Sequence, residues 1–171
     1  LSSKLGLSIA MHRRDYEQVL KMINRDSFIK EFLELLQYYG VPDTEMEMYR
    51  SVISSIASRR RLSDVNPDII INGEEEHIEG VHVLLTPGHS PGHVSIVIDE
   101  YDIAFTGDLI LPTITTYVGL TAINPGNPLS DYLTSLLKIR SIGPKCIYPG
   151  HEGEICNVNG RINELIAHRV S

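Results

Sequence analysis

The sequence predicts an α+β fold, and three observations carry that expectation. Apolar residues recur at helical spacing through residues 15–63, with no strand pattern between them. From Pro67 the period shortens to apolar runs separated by Gly, Asn and Asp turns. Neighbouring strands joined by such tight turns imply antiparallel pairing. Finally, two helical patterns flank a short apolar run, Lys145 to Tyr148, near the C-terminus.

At 171 residues the chain is long enough to bury a single core. A net charge of −7 argues against a general polyanion binder, nucleic acid included. No apolar run approaches the ~20 residues of a membrane span. The cysteines, Cys146 and Cys156, are too few for a disulfide scaffold. They are read as buried thiols near a strand, with a zinc site as the lesser alternative, which suggests a reducing, cytoplasmic compartment.

In order along the chain, Leu1 to Gly6 reads as a helix end and Leu7 to Met11 as a short buried strand ending at His12. That histidine is read as a strand terminus first and an active-site rim second. Asp15 is a plausible cap for a helix with Tyr16, Val19, Leu20 and Ile23 on its apolar face. Asp26 or Ser27 can cap the next, whose face is Phe28, Ile29, Phe32, Leu35 and Leu36. Gly40 with Val41-Pro42 stops it. A third helix opens at Asp43-Thr44 and ends at Arg59-Arg60-Arg61, an order of charge that suits the helix dipole.

Asp68 to Ile71 is the next strand, and Asn72-Gly73 is a two-residue turn signal. Glu74 to Glu79 reads as a polar strand in which His77, with acidic neighbours, is expected on a solvated edge rather than as a ligand. In the strand Val81 to Leu85, His82 alternates outward. Val94 to Ile98, the turn Asp99-Glu100-Tyr101 and the strand Asp102 to Thr106 follow. Asn127-Pro128 is an N-cap with proline at the first helical position. The helix it opens presents Leu129, Leu133, Leu136 and Leu137 and stops at Gly143-Pro144. The last helix runs from about Val158 to Val170.

The chemistry concentrates in three strand-to-loop transitions: Thr86-Pro87-Gly88-His89-Ser90-Pro91-Gly92-His93, Thr106-Gly107-Asp108 and Pro149-Gly150-His151. The two Pro-Gly pairs of the first loop stiffen it, because proline pre-sets φ and glycine permits φ > 0. A ligand imidazole needs such a frame.

TPGHSPGH, FTGD and YPGH together resemble the second half of the metallo-β-lactamase superfamily, nearest to its glyoxalase II-like hydrolases. The resemblance covers roughly Ile69 to His168. It implies that His89, Asp108 and His151 are metal ligands, His89 on one ion, His151 on the other and Asp108 between them. Asp108 is then also the residue on which catalysis depends. The resemblance further implies an αββα sandwich and two zinc ions, with iron or manganese as alternatives. Metal-bound hydroxide would then hydrolyse a small-molecule ester or thioester. His93 is expected to orient its loop, and Thr86 and Ser90 to supply hydrogen bonds around the ligands.

The family's HxHxDH motif is absent from these residues, and Leu1 to Gly6 is similar to the helix that follows it. The 171 residues are therefore expected to be a C-terminal part of the domain, with residues 15–63 a helical insertion. In similar hydrolases such an insertion forms a lid, and Tyr38-Tyr39 with Met46 and Met48 are candidates to line it, against a core role. The piece alone is expected to hold metal weakly or not at all, to be catalytically silent, and to self-associate through its uncovered sheet. The alternatives are a phosphodiesterase or nuclease of the same fold and a metal-free binding or assembly module.

Overall fold

The computed structural model describes residues 6–59, 65–78, 80–119 and 126–170. Ala10–His12 (β1) runs straight into three helices, Arg13–Ile23 (α1), Arg25–Tyr38 (α2) and Asp43–Arg59 (α3). Short strands follow: Ile69–Ile71 (β2), Glu75–Ile78 (β3), Val81–Leu85 (β4) and Val94–Ile98 (β5). A 3-10 turn, Asp99–Tyr101, leads to Ile103–Gly107 (β6), then Pro128–Ile142 (α4), Cys146–Pro149 (β7) and Val158–Val170 (α5). This is the α+β architecture that the sequence predicts.

β1 and β2 form a separate parallel pair, Ala10 opposite Ile69 and His12 opposite Ile71. The main sheet has the order β3-β4-β5-β6-β7. Its first four strands are antiparallel, as the tight turns require, whereas β6 and β7 are parallel, with α4 in the connection between them.

Alternation along the strands gives the sheet two unlike faces. Leu84, Val97, Ala104 and Ile147 form one, and they are buried together with Tyr132, Leu136 and Ile139 of α4 and Ile162 and Leu165 of α5. The other face carries Val83, Ile96, Phe105 and Tyr148 in cross-strand register. Phe105 there is 46% exposed.

Several local expectations are corrected. The first strand is Ala10–His12, three residues later than predicted, and Leu7 and Ile9 are exposed because β1 pairs only with β2 among the described residues. Asn72-Gly73 turns the chain from one sheet to the other and makes no hairpin. Their backbone N–H groups donate to Glu76 Oε1 at 2.8 and 2.6 Å, which closes the turn and lowers the Glu76 pKa. His12 caps α1, its Nδ1 accepting from Arg14 N at 3.1 Å, and Asn24 caps α2. Leu20 and Ile23 are exposed. In α4 the buried residues are Pro128, Tyr132, Ser135, Leu136 and Ile139, while Leu129 and Leu137 face solvent. The leucines hid this face, because the side chain that fills the crevice on the sheet is an aromatic, Tyr132. His82 shares its face with the core residues Leu84 and Val97 and is not turned outward. Leu1 to Leu5, Glu79, Arg60 and Arg61 lie outside the described residues.

The cysteines are not free thiols: Cys146 and Cys156 are joined as a disulfide. Ile147 and Ile155 exchange two backbone hydrogen bonds, of 2.9 and 3.0 Å. The adjacent pair, 146 and 156, is therefore a non-hydrogen-bonded position, where antiparallel chains come closest. The Cα atoms are 4.1 Å apart. A bonded pair removes the cysteine-based ground for placing the chain in a reducing compartment.

These contacts set two expectations for stability. Leu136→Ala should lower the unfolding free energy by about 2–5 kcal/mol. Leu137→Ala, at a 43% exposed position, should cost less than about 1 kcal/mol; urea titration of both variants separates the two faces of α4. Removing the disulfide by Cys146→Ser with Cys156→Ser should cost about 2–3 kcal/mol, since it closes a short loop. In that variant, added reductant should leave the midpoint unchanged.

Candidate metal centre

Each residue named by the three motifs lies at the same edge of the main sheet. The loop from Thr86 to His93 joins β4 to β5, Asp108 follows the last residue of β6, and His151 lies two residues beyond β7. Parallel pairing of β6 and β7 is what brings Asp108 and His151 to one side, because parallel neighbours end at the same edge. His89 Nε2 lies 3.6 Å from Asp108 Oδ2, and His151 Nε2 lies 3.5 Å from Asp108 Oδ1. The carboxylate thus stands between two imidazoles with one oxygen towards each. Its surroundings are open: the His151 side chain is 70% exposed.

Close approach of β7 to Asp108 depends on a missing side chain. Gly150 N donates to Gly107 O at 2.8 Å, and a Cβ on Gly150 would stand 2.9 Å from Asp108 Oδ1. Any larger residue would push the carboxylate aside or open the strand ends.

Hydrogen bonds fix the ring of His89. Its Nδ1 lies 2.9 Å from Thr116 Oγ1 and 3.3 Å from the Tyr117 carbonyl. A carbonyl only accepts, so Nδ1 carries the proton and Nε2 presents its lone pair towards Asp108. That is the tautomer a metal ligand needs, with the other nitrogen tied to a protein acceptor. His93 sits edge-on to His89, with ring centroids 6.2 Å apart, and its Nδ1 lies 3.0 Å from Thr86 Oγ1. Burial, and then the neighbouring His89, lower its pKa below 6.5, which keeps the ring neutral at pH 7. The His93–Thr86 hydrogen bond ties the two ends of the loop together. The side-chain hydrogen bonds of Thr86 and Ser90 among the described residues go to partners other than His89. Thr86 serves His93 and Ser95, the latter at 2.9 Å, and Ser90 donates to Asp15.

The sequence reading missed the residues that hold these loops in place. Asp15, in the first turn of α1, is not a cap. Its Oδ2 accepts from Ser90 Oγ and its Oδ1 from Gly92 N, both at 2.7 Å. A Cβ on Gly92 would meet Asp15 N at 2.5 Å, so the glycine is what admits the carboxylate. Thr116, 4% exposed, lies in the segment after Asp108, which has no periodic pattern. That segment is held by α5. Arg161 Nε donates to Leu111 O at 2.8 Å, its Nη2 to Ile114 O at 2.9 Å, and Arg169 Nη2 to Thr116 O at 2.6 Å. Thr113 N and Oγ1 donate to the Glu152 carboxylate, joining the same segment to the His151 loop. No local signal distinguishes such arginines from a solvated helix face. Asp15 alone was legible in kind, as a carboxylate in a first helical turn.

Tyr38 and Tyr39 make no ring contact with the residues of this edge among the described residues. They are 82% and 56% exposed, and their rings meet edge to face with centroids 5.2 Å apart. Met48 is exposed, and Met46 lines a crevice between α2 and α3 with Leu33 and Gln37. Among the described residues, Asp15 links the helical segment to the loop of His89 by hydrogen bonds.

Comparison with known proteins gives the family of the chain. The family profile of the metallo-β-lactamase superfamily matches residues 24–151. An atrochrysone carboxyl ACP thioesterase of Aspergillus fumigatus is 34% identical over 105 residues, 60% of this chain and 31% of its own. A lactamase-like protein of Trichophyton rubrum is 31% identical over 132 residues, covering 76% of this chain and 38% of its own. The chain thus spans about a third of the length of these relatives. Among solved structures, a metallo-β-lactamase family protein of Thermus thermophilus superposes on 98% of this chain and 54% of its own. The TM-score is 0.76, at 29% identity. Another, crystallised in a di-iron-bound form, has a TM-score of 0.58 over 94% of this chain and 66% of its own, at 21% identity, and shares the fold. By the extent of the profile match, the chain belongs to the metallo-β-lactamase superfamily.

Proposed function

We propose that this chain supplies part of the centre of a two-metal hydrolase acting on an ester or thioester. The observation that carries the reading is the placement of Asp108, with one carboxylate oxygen 3.6 Å from the His89 imidazole and the other 3.5 Å from that of His151. Two imidazoles and a carboxylate suit zinc, and equally iron or manganese. A metal pair held there activates water and polarises a carbonyl when bound. The chain's own residues do the positioning: Thr116 and the Tyr117 carbonyl set the tautomer of His89, and Asp15 holds the loop that carries it. The thioesterase among the relatives supports the choice of substrate class. A phosphodiester is disfavoured because nearby cations are engaged, Arg161 and Arg169 by loop carbonyls and Arg14 and Lys138 by Glu74.

Three residues shared between two ions leave each below the three or four protein ligands that zinc takes. These 171 residues by themselves should therefore bind the pair weakly and turn over little. In a protein carrying the remaining ligands, Asp108→Ala should lower thioester hydrolysis by about two orders of magnitude or more. Equilibrium dialysis should show loss of bound metal in the same variant. Full activity with a full metal complement would remove Asp108 from the centre, and hydrolysis of a phosphodiester in preference to a thioester would replace the substrate class.

Positioning can be read separately. Thr116→Val should weaken metal affinity about 10–100-fold, by freeing the His89 ring. Asp15→Ala should cost about 1–3 kcal/mol of stability and speed hydrogen exchange at Gly92 N–H, because it removes two charge-assisted bonds. Unaltered exchange at Gly92 would show that the loop holds itself.

A further inference from the structure

A second group of potential ligands lies at the opposite end of the main sheet. His77 on β3 stands directly across from His82 on β4, so both side chains project from the same face. Their rings stack with centroids 4.6 Å apart and planes 3° from parallel. His82 is in turn opposite Val97 on β5, and Asp99 lies two residues further on, at the start of the 3-10 turn. Ligand atoms of His77, His82 and Asp99 all fall within 4.8 Å of one another. No other group of three His, Cys, Asp or Glu among the described residues meets that spacing. Glu75, two residues before His77 and on its face, brings Oε2 to 3.9 Å from His82 Nε2.

His82 is the informative member. Its side chain is only 18% exposed, and its Nε2 is buried without a hydrogen-bond partner among the described residues. A buried polar atom without a partner is unfavourable, so a buried imidazole nitrogen with other ligand atoms close by calls for an occupant. The exposed positions of His77 and Asp99 give them room to close on it. Tetrahedral zinc with bonds of about 2.0–2.1 Å needs donor atoms about 3.3 Å apart, so the three side chains must close on one another and the two rings turn out of their stack.

We propose that His77, His82 and Asp99, with Glu75 within reach, form a divalent-cation site for Zn²⁺ or a chemically similar ion, separate from the Asp108 centre. Two imidazoles with one or two carboxylates and no reserved open position describe a structural site. The ion would clip β3, the edge strand of the sheet, to β4 and to the turn after β5. An exposed edge strand is otherwise held by hydrogen bonds on one side only.

The test uses the full chain and Zn²⁺ alone, with Asp108→Ala as the background that disables the other centre. Metal content after equilibrium dialysis should remain near one Zn²⁺ per chain in Asp108→Ala. Adding His77→Ala or Asp99→Asn should weaken that binding at least about tenfold. Both substitutions are at exposed positions, and circular dichroism checks the fold. Thermal melting supplies a second readout, since Zn²⁺ should raise Tm of Asp108→Ala but not of Asp108→Ala with His77→Ala. Absence of bound zinc in the Asp108→Ala background would overturn the proposal. So would zinc binding and a Tm shift that persist unchanged without His77.

Discussion

Parallel pairing of β6 with β7 is the constraint on which the candidate centre depends. An antiparallel neighbour would deliver its C-terminal end to the far edge of the sheet, taking His151 away from Asp108. The parallel arrangement instead ends both strands together, with Gly107 opposite Pro149, and leaves Asp108 and His151 3.5 Å apart. It requires a crossover, and α4 lies within it. Tyr132, Leu136 and Ile139 hold α4 to the sheet, so burial on one face of a helix fixes the separation of two polar groups at the edge of the sheet. Packing here comes before chemistry in the causal order.

The loops at that edge are held from outside the sheet as much as from within it. Asp15 grips the loop of His89 from the helical segment, and Arg161 and Arg169 grip the segment of Thr116 from α5. Backbone carbonyls and amides that turn away from regular structure need partners, and charged side chains fill that need. The helical segment therefore touches the chemistry through one carboxylate at its start, while its aromatic pair, Tyr38 and Tyr39, stays in solvent.

The two faces of the sheet differ in how they are completed. Helices α4 and α5 bury the face of Leu84, Val97, Ala104 and Ile147, whereas Phe105 on the other remains half exposed beside Tyr148. Across the strands, the two ends of the sheet also differ. One gathers His89, Asp108 and His151, and the other gathers His77, His82 and Asp99. The alternation of side chains along β4 places His82 on the buried face, so its nitrogen lacks the solvent that an outward histidine would have.

The sequence by itself determined the α+β class, the element order from Asp68 to Val170 and the three motifs that meet at one edge. Local physics sufficed there: Asn127-Pro128 starts a helix wherever it sits, Gly143 stops one, and Pro-Gly pairs stiffen a loop. Tertiary structure decided what has no local signature. Cys146 and Cys156 become a disulfide because Ile147 and Ile155 happen to pair. Asn72-Gly73 turns between sheets because β2 finds β1 as its neighbour. Asp15 and Thr116 reach the site across 75 and 27 residues of chain. Such contacts arise from burying large surfaces elsewhere, and a single segment carries no record of which distant surface will meet it.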